Sequence, residues 1–293
     1  MSESEPALVD PPSQRRRAAV LGSPIRHSLS PVLHRTAYRQ LGLDWHYDAI
    51  EVDEAGLAGF LDSCGPEWAG LSLTMPLKRA VLPLLDSTSP LVDLVGAANT
   101  VVFDPQGRRA GHNTDVAGIV EALRGVGAVA GPALVLGAGA TTASALAALA
   151  ELGCREVRVR ARRPEAARET LGELARVLEV SLSVDGWPAP GERLPDQEQA
   201  TITVCTAPSE AAAALLASVP RRPGALLDVS YAPWPSALVE AWRAAGGPAV
   251  AGDEMLLHQA VAQVALMTGR QPDPAGLRAA LRAELAQDSP AAP

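Results

Sequence analysis

The sequence predicts an α/β protein in two domains, the second a doubly wound parallel sheet, and three observations carry that expectation. Short apolar runs alternate with amphipathic stretches along most of the chain, the mark of a layered α/β architecture. From Ala133 onward the alternation becomes a regular β-α repeat, which folds with parallel strands and right-handed crossovers. A glycine turn, "LVLGAGATT", stands between the first strand and the first helix of that repeat. With 293 residues, 47% of them apolar and 20% charged, the chain is long enough for one large or two ordinary globular domains.

Taken in order, residues 1–17, "MSESEPALVDPPSQRRR", form a polar arm without the apolar core of a signal peptide. "AAVLG" at 18–22 predicts a buried strand, followed by the turn "SPIRHSLSP" and an amphipathic helix from near Pro31. Strands are expected at 46–52, 69–75 and 96–103, with helices around 54–63 and 78–86 between them. In the second half, a strand at Ala133 and an alanine-rich helix are followed by a strand at 156–161 and a helix through about 177. A strand at 201–205, a helix at 209–218 and a strand at 225–229 complete the repeat. Residues 183–199, rich in Pro, Gly and charge, read as a surface loop. An apolar helical run, Glu254 to Met267, closes the pattern.

Composition excludes several functions. A net charge of -8 argues against a nucleic-acid partner, which calls for a basic face. No window of about 18 residues is uninterruptedly apolar, as a membrane span requires, so a cytoplasmic protein is expected. Cys64, Cys154 and Cys205 are widely spaced and form no C-x-x-C pair, which fits reduced thiols rather than disulfides or a zinc site. No metal is implied. A monomer and a homodimer are both compatible with the sequence.

The glycine turn points to a dinucleotide. Gly137 permits the tight turn, Gly139 lets a pyrophosphate approach the backbone, and the start of the following helix offers free N–H groups. Gly137, Ala138, Gly139, Ala140 and Thr141 are therefore candidate coenzyme contacts in a Rossmann-like domain, with Thr142 where a third small residue is usual. After the next strand the chain places Arg162 and Arg163, with no acid before Glu165. An acid there would suit the ribose hydroxyls of NAD, whereas an arginine fork suits the 2′-phosphate of NADP. NADP is the expected coenzyme, and Thr206 and Gly252 complete the candidate contacts.

Lys78 is the sole lysine of the chain, although Lys and Arg together number 25. An ammonium is compact and can give up a proton; a guanidinium stays charged. Asn99 and Asn113 are likewise the only asparagines, and they lie with Ser28, Ser30, Thr74 and Asp115 in motif-like turns. Each alone is explained by helix capping or turn chemistry. Together they suit a carboxylate-bearing, hydroxyl-rich ligand, which needs several neutral hydrogen-bond partners. Lys78 and Asp115 read as one proton-exchanging unit. His27, His34, His112 and His258 are rival acid-bases without metal-ligand spacing, for which helix or turn roles are expected.

"GSPIRHSLSPVLH", "SLTMPLK", "GAANT", "HNTD", "LGAGATT", "DVSYAPWPSAL" and "MLLHQA" follow one another in an order that resembles the shikimate dehydrogenases, over residues 18 to about 270. The resemblance implies reversible NADP-linked reduction of 3-dehydroshikimate to shikimate, a step of aromatic amino-acid biosynthesis. It implies that Ser28 and Ser30 hold the substrate carboxylate, that Thr74, Lys78, Asn99 and Asp115 surround the ring hydroxyls, and that Tyr231 and Gln259 face the substrate. It also implies a substrate domain over 18–115, completed by C-terminal helices over 252–286, and an NADP domain over 116–251. Two departures stand out. Ala161-Arg162-Arg163 replaces the usual Asn-Arg-Thr, and Asp253 and Glu254 occupy positions near the nicotinamide that are usually neutral. These acids either enter the cleft or sit at a helix N-terminus, where the dipole favours them. A quinate or aminoshikimate-type substrate is the near alternative; a non-catalytic NADP-binding regulator is the remote one, opposed by the presence of both Lys78 and Asp115.

Overall fold

The computed structural model describes residues 15–189, 192, 199–234 and 236–288. The first of its two six-stranded sheets comprises β1 (Arg17–Gly22), β2 (His46–Glu51), β3 (Trp68–Leu73), β4 (Ser87–Thr88), β5 (Thr100–Phe103) and β6 (Arg109–His112), in the order β2-β1-β3-β5-β6-β4. β1 runs parallel to β2 and β3, while β5 is antiparallel to β3 and β6. Helices α1 (Ser30–Gln40), α2 (Leu57–Asp62), α3 (Leu77–Ala80) and α4 (Pro90–Val95) connect the strands. β1 is apolar without alternation because both faces of the sheet are covered. Ala18 and Val20 pack with Leu33 and Tyr38 of α1, and Ala19 and Leu21 pack on the opposite side with Leu57, Leu61 and Leu77.

The second sheet is wholly parallel. It holds β7 (Ala133–Leu136), β8 (Glu156–Ala161), β9 (Ser181–Gly186), β10 (Ile202–Cys205), β11 (Ala225–Asp228) and β12 (Ala249–Ala251), in the order β12-β11-β10-β7-β8-β9. The chain moves outward from β7 to β8 and β9, then returns to begin the other half at β10. The carboxyl ends of β7 and β10 are thus the topological switch point, where an open α/β sheet leaves a crevice for a ligand. Around it lie α5 (Asp115–Gly125), α6 (Ala140–Glu151), α7 (Pro164–Val177), α8 (Ser209–Ala213) and α9 (Ala237–Ala244). The alanine excess of α6 has a packing reason: Ala143, Ala145, Ala147, Ala148 and Ala150 are all buried in one apolar cluster.

Two helices complete the described residues, α10 (Gly252–Thr268) and α11 (Pro274–Asp288). α10 runs back against α1, α5 and β3, and its Leu257, Ala260 and Val264 complete the core shared by β1 and α1. It stops at Gly269, whose left-handed φ of 69° suits a residue without a side chain.

Several elements depart from expectation. Residues 183–186 belong to strand β9, not to a loop; residues 190–191 and 193–198 of that stretch lie outside the described residues. β9 is an edge strand in which only Val184 is buried; its alternation is confined to Leu182 and Val184 and runs straight into the Pro- and Gly-rich stretch, whose loop composition masks it. β6, "RAGH", has Gly111 as its one buried residue, and a Cβ there would come within 2.4 Å of Leu85 Cδ1. The helix expected over 78–86 is the single turn α3 followed by a 3-10 turn at Leu82–Leu84, because Pro83 cannot continue the α-helical hydrogen bonds. Among the described residues no helix is long and apolar enough to cross a membrane.

Candidate active site

A cleft of about 370 Å³ opens where the segments after β3 and β11 face one another. Ser28, Ser30, Thr74, Lys78, Asn99, Asp115, Tyr231 and Gln259 all line it, and Thr141 and Gly252 reach it from the second sheet. The residues singled out for a hydroxyl-rich ligand therefore meet in one place, although they are drawn from nearly the whole length of the chain.

Lys78 stands on α3, whose backbone is held by the bond from Ala98 N–H to the Lys78 carbonyl at 2.9 Å. Its Nζ donates to Asp115 Oδ2 at 2.5 Å. Asp115 opens α5, where the helix dipole favours an acid, and its Oδ1 accepts from Asn99 Nδ2 at 2.9 Å. Asn99 cannot turn over: its Oδ1 accepts the Thr114 backbone N–H at 2.8 Å, which leaves the amide nitrogen to face the carboxylate. Asn113 has the capping role. Its Oδ1 accepts from the N–H groups of Asp115 and Val116, and its amide donates to Ala97 O and Ser144 Oγ. Capping by Asn113 releases Asp115 for Lys78.

Ser28 and Ser30 flank the entry to α1, the Ser30 N–H pointing at Ser28 Oγ at 3.4 Å. The backbone N–H groups of this first turn are engaged or missing, Val32 N–H bonding to Leu29 O at 3.1 Å and Pro31 having none, so what the helix start offers an anion is its dipole and the two hydroxyls. Tyr231 follows β11, and burial pushes its phenol upward from the usual value. Gln259 on α10 donates to Leu256 O at 2.9 Å. Ser72 and Gln263 are among the further cleft residues that escaped the sequence reading. Both had a periodic signal: Ser72 lies two residues before Thr74 on a strand, and Gln263 one helical turn after Gln259.

Of the four histidines weighed as acid-bases, His27 lines the cleft. His34 is buried, stacked on Tyr47 at 3.9 Å between ring centroids. Burial lowers its pKa to about 3 despite the hydrogen bond to Gln263, so it is a neutral core group. His112 and His258 line a separate groove beside α5 and α10.

The β7–α6 turn fits a pyrophosphate. Gly137 has a φ of 127°, and a Cβ there would lie 2.3 Å from Thr206 Oγ1, so this glycine is required by the fold itself. Gly139 is extended and a Cβ would meet nothing within 4 Å; open space at the start of α6 is a cradle that a ligand would fill. Thr142, standing where a third small residue is usual, is fully buried with its hydroxyl 2.9 Å from that of Thr206. Arg162 and Arg163 are exposed at the end of β8, beyond the cleft. Gly252 is forced by crowding, since a Cβ would fall 2.1 Å from Val229 O.

Asp253 and Glu254 occupy the first turn of α10 and neither lines the cleft. Asp253 is buried, its carboxyl pushed up by burial and then by neighbouring Glu254, against a hydrogen bond with Trp234. Glu254 is clasped by Arg278 at 2.8 Å and by Arg282 at 3.0 Å, which ties α10 to α11.

Comparison with known proteins adds to this geometry. The shikimate dehydrogenase substrate binding domain matches residues 20–101, and the shikimate 5′-dehydrogenase C-terminal domain matches residues 252–282. The chain is 39% identical over 278 residues to the shikimate dehydrogenase (NADP(+)) of Thermus thermophilus, covering 92% of this chain and 98% of that protein. The crystal structure of Mycobacterium tuberculosis shikimate dehydrogenase is 41% identical, with a TM-score of 0.82 over 92% of this chain and 99% of that one. A Thermus thermophilus structure in complex with NADP(H) and shikimate is 33% identical, with a TM-score of 0.77 over 92% of this chain and 99% of that one.

Proposed function

This chain belongs to the shikimate dehydrogenase family, and we propose that it catalyses the reversible NADP-linked reduction of 3-dehydroshikimate to shikimate in aromatic amino-acid biosynthesis. The observation that carries the proposal is the convergence of eight polar residues on one cleft that Thr141 and Gly252 of the coenzyme half also reach.

Ser28 and Ser30, at the positive end of α1, receive the substrate carboxylate. Thr74, Lys78, Asn99 and Asp115 hold the ring hydroxyls, with Tyr231 and Gln259 facing them from the segments after β11 and β12. The β7–α6 turn takes the pyrophosphate, assisted by Ala138, Ala140 and Thr206, and Arg162 with Arg163 meets the 2′-phosphate. Held there, the coenzyme would supply the hydride as NADPH and would accept it as NADP⁺ in the reverse direction. At the substrate the new alkoxide needs a proton; Lys78 delivers it and takes it back in reverse. Asp115 fixes Lys78 against the reacting oxygen, and Asn99 fixes Asp115. Leu73, Met255 and Leu256 form apolar wall that limits water at the reaction. A cytoplasmic location belongs to the same proposal and suits the three free thiols, Cys64, Cys154 and Cys205.

The experiment is absorbance at the reduced-nicotinamide band with purified protein, pairing shikimate or quinate with NADP or NAD. Reduction with shikimate and NADP is expected. Faster turnover of quinate with NAD, or binding of NADP without turnover of any pair, would replace this assignment.

A further inference from the structure

Beneath the cleft runs an ordered series of hydrogen bonds that substrate contacts alone do not explain. Gln263 is 1% exposed, and both ends of its amide are bonded. Its Nε2 donates to the Asn99 carbonyl at 3.2 Å and to Thr100 Oγ1 at 3.1 Å. A backbone carbonyl only accepts, so the nitrogen must face it and the amide has one orientation. Gln263 Oε1 then accepts from Ser72 Oγ at 2.7 Å and from His34 Nε2 at 3.2 Å. His34 therefore carries its proton on Nε2, and its Nδ1 accepts from the Tyr38 hydroxyl at 3.4 Å.

The series continues in both directions. Thr100 Oγ1 donates to Asn99 Oδ1 at 2.9 Å, and Asn99 donates to Asp115. On the other side Tyr47 donates its single proton to Ser72 at 2.7 Å. Donation thus runs one way from Tyr47 through Ser72, Gln263, Thr100 and Asn99 to Asp115. Gln263 is the member that joins the two halves, and aligned bonds of this kind polarise one another in a dry interior.

We propose that Gln263 is a positioning residue: its amide couples the Ser72 side of the cleft to Asp115 and sets the geometry of the Lys78–Asp115 pair. The chemistry served rests on the function proposed above; the coupling itself does not.

The test uses full-length Gln263→Leu and Gln263→Glu. Leucine removes both ends of the amide. A neutral glutamic acid can still donate where the amide N–H did, whereas its ionised form sets a second acceptor against the Asn99 carbonyl. Among the described residues the titratable group in contact with position 263 is His34, with Tyr47 one hydrogen bond beyond and Asp115 beyond Thr100 and Asn99. Because Lys78 is the sole lysine, labelling with ¹³C-lysine yields a single ε-methylene signal that reports the pair directly. In Gln263→Leu this signal is expected to move and kcat to fall roughly tenfold, with the KM for NADP unchanged. Burial raises a carboxyl pKa, to about 8–9 in documented cases, so in Gln263→Glu the signal and kcat should return toward wild type at about pH 6 and depart from it above about pH 9. An unmoved Lys78 signal in a folded Gln263→Leu protein that binds NADP overturns the proposal. Should that variant not fold, identical behaviour of Gln263→Glu at the two pH values overturns it instead. A moved signal in a protein that never oxidises shikimate sinks the assigned reaction and leaves the coupling standing.

Discussion

Lys78 Nζ lies 2.5 Å from Asp115 Oδ2, with 14% and 4% of the two side chains exposed. A pair so far from water keeps its charges only when other bonds offset desolvation, and the Asn99 amide supplies one at the second carboxylate oxygen. Replacing Lys78 by Arg retains the charge and removes a group able to give up its proton at workable pH; kcat should fall by roughly 10²- to 10⁴-fold with NADP affinity intact. Lys78→Met leaves a buried carboxylate unpaired and should also lose about 3–5 kcal/mol in urea unfolding. Undiminished turnover by Lys78→Arg would remove Lys78 from the reaction.

Two glycines of the same turn should fail differently. Gly137→Ala forces a Cβ against Thr206 at a φ of 127°, so it should cost about 1–3 kcal/mol of stability. Gly139→Ala meets open space and should unfold within about 0.5 kcal/mol of wild type, yet raise the KM for NADP at least about tenfold as its methyl enters the phosphate cradle. Equal effects of the two substitutions on both readouts would show that the turn does not hold the pyrophosphate.

Coenzyme choice should rest on the arginines after β8. A hydrogen bond to a charged group contributes about 1.5–3 kcal/mol, so Arg162→Ala should raise the KM for NADP roughly 10- to 100-fold and leave that for NAD unchanged. Parallel losses with both coenzymes would assign Arg162 to folding instead.

Stability should decline in acid partly through His34. Its pKa is about 3 in the folded protein against 6.5 for the free side chain, so between those values the unfolded chain binds one proton more. The contribution is complete above about pH 6.5 and is lost as pH falls toward 3, by at most about 1.4 kcal/mol per pH unit. His34→Gln keeps a donor for Gln263 without titrating, and its urea midpoint should change less steeply than wild type between about pH 6 and pH 4. Superimposable profiles would mean that acid sensitivity arises elsewhere.

Much of this protein was legible in one dimension because the relevant physics is local. The alternation of strands and helices, the turn around Gly137, and the unusual residues Lys78, Asn99 and Asp115 depend on neighbours a few positions away. Elements whose burial is set by distant partners were not legible: β9 alternates over Leu182 and Val184 alone before a Pro- and Gly-rich stretch, and β6 buries a glycine, so neither carries a period long enough to read.

By itself the sequence determined the α/β class and the residue types available to the cleft. Tertiary structure alone decided their pairing: that Asn113 caps α5 while Asp115 meets Lys78, that Glu254 turns to Arg278 rather than to the cleft, and that Gln263 reaches Ser72 across 191 positions and His34 across 229. A side chain's chemistry is written in its own codon of the chain, but which donor faces which acceptor is settled only when packing brings remote segments into contact and leaves each buried polar group a single satisfied arrangement.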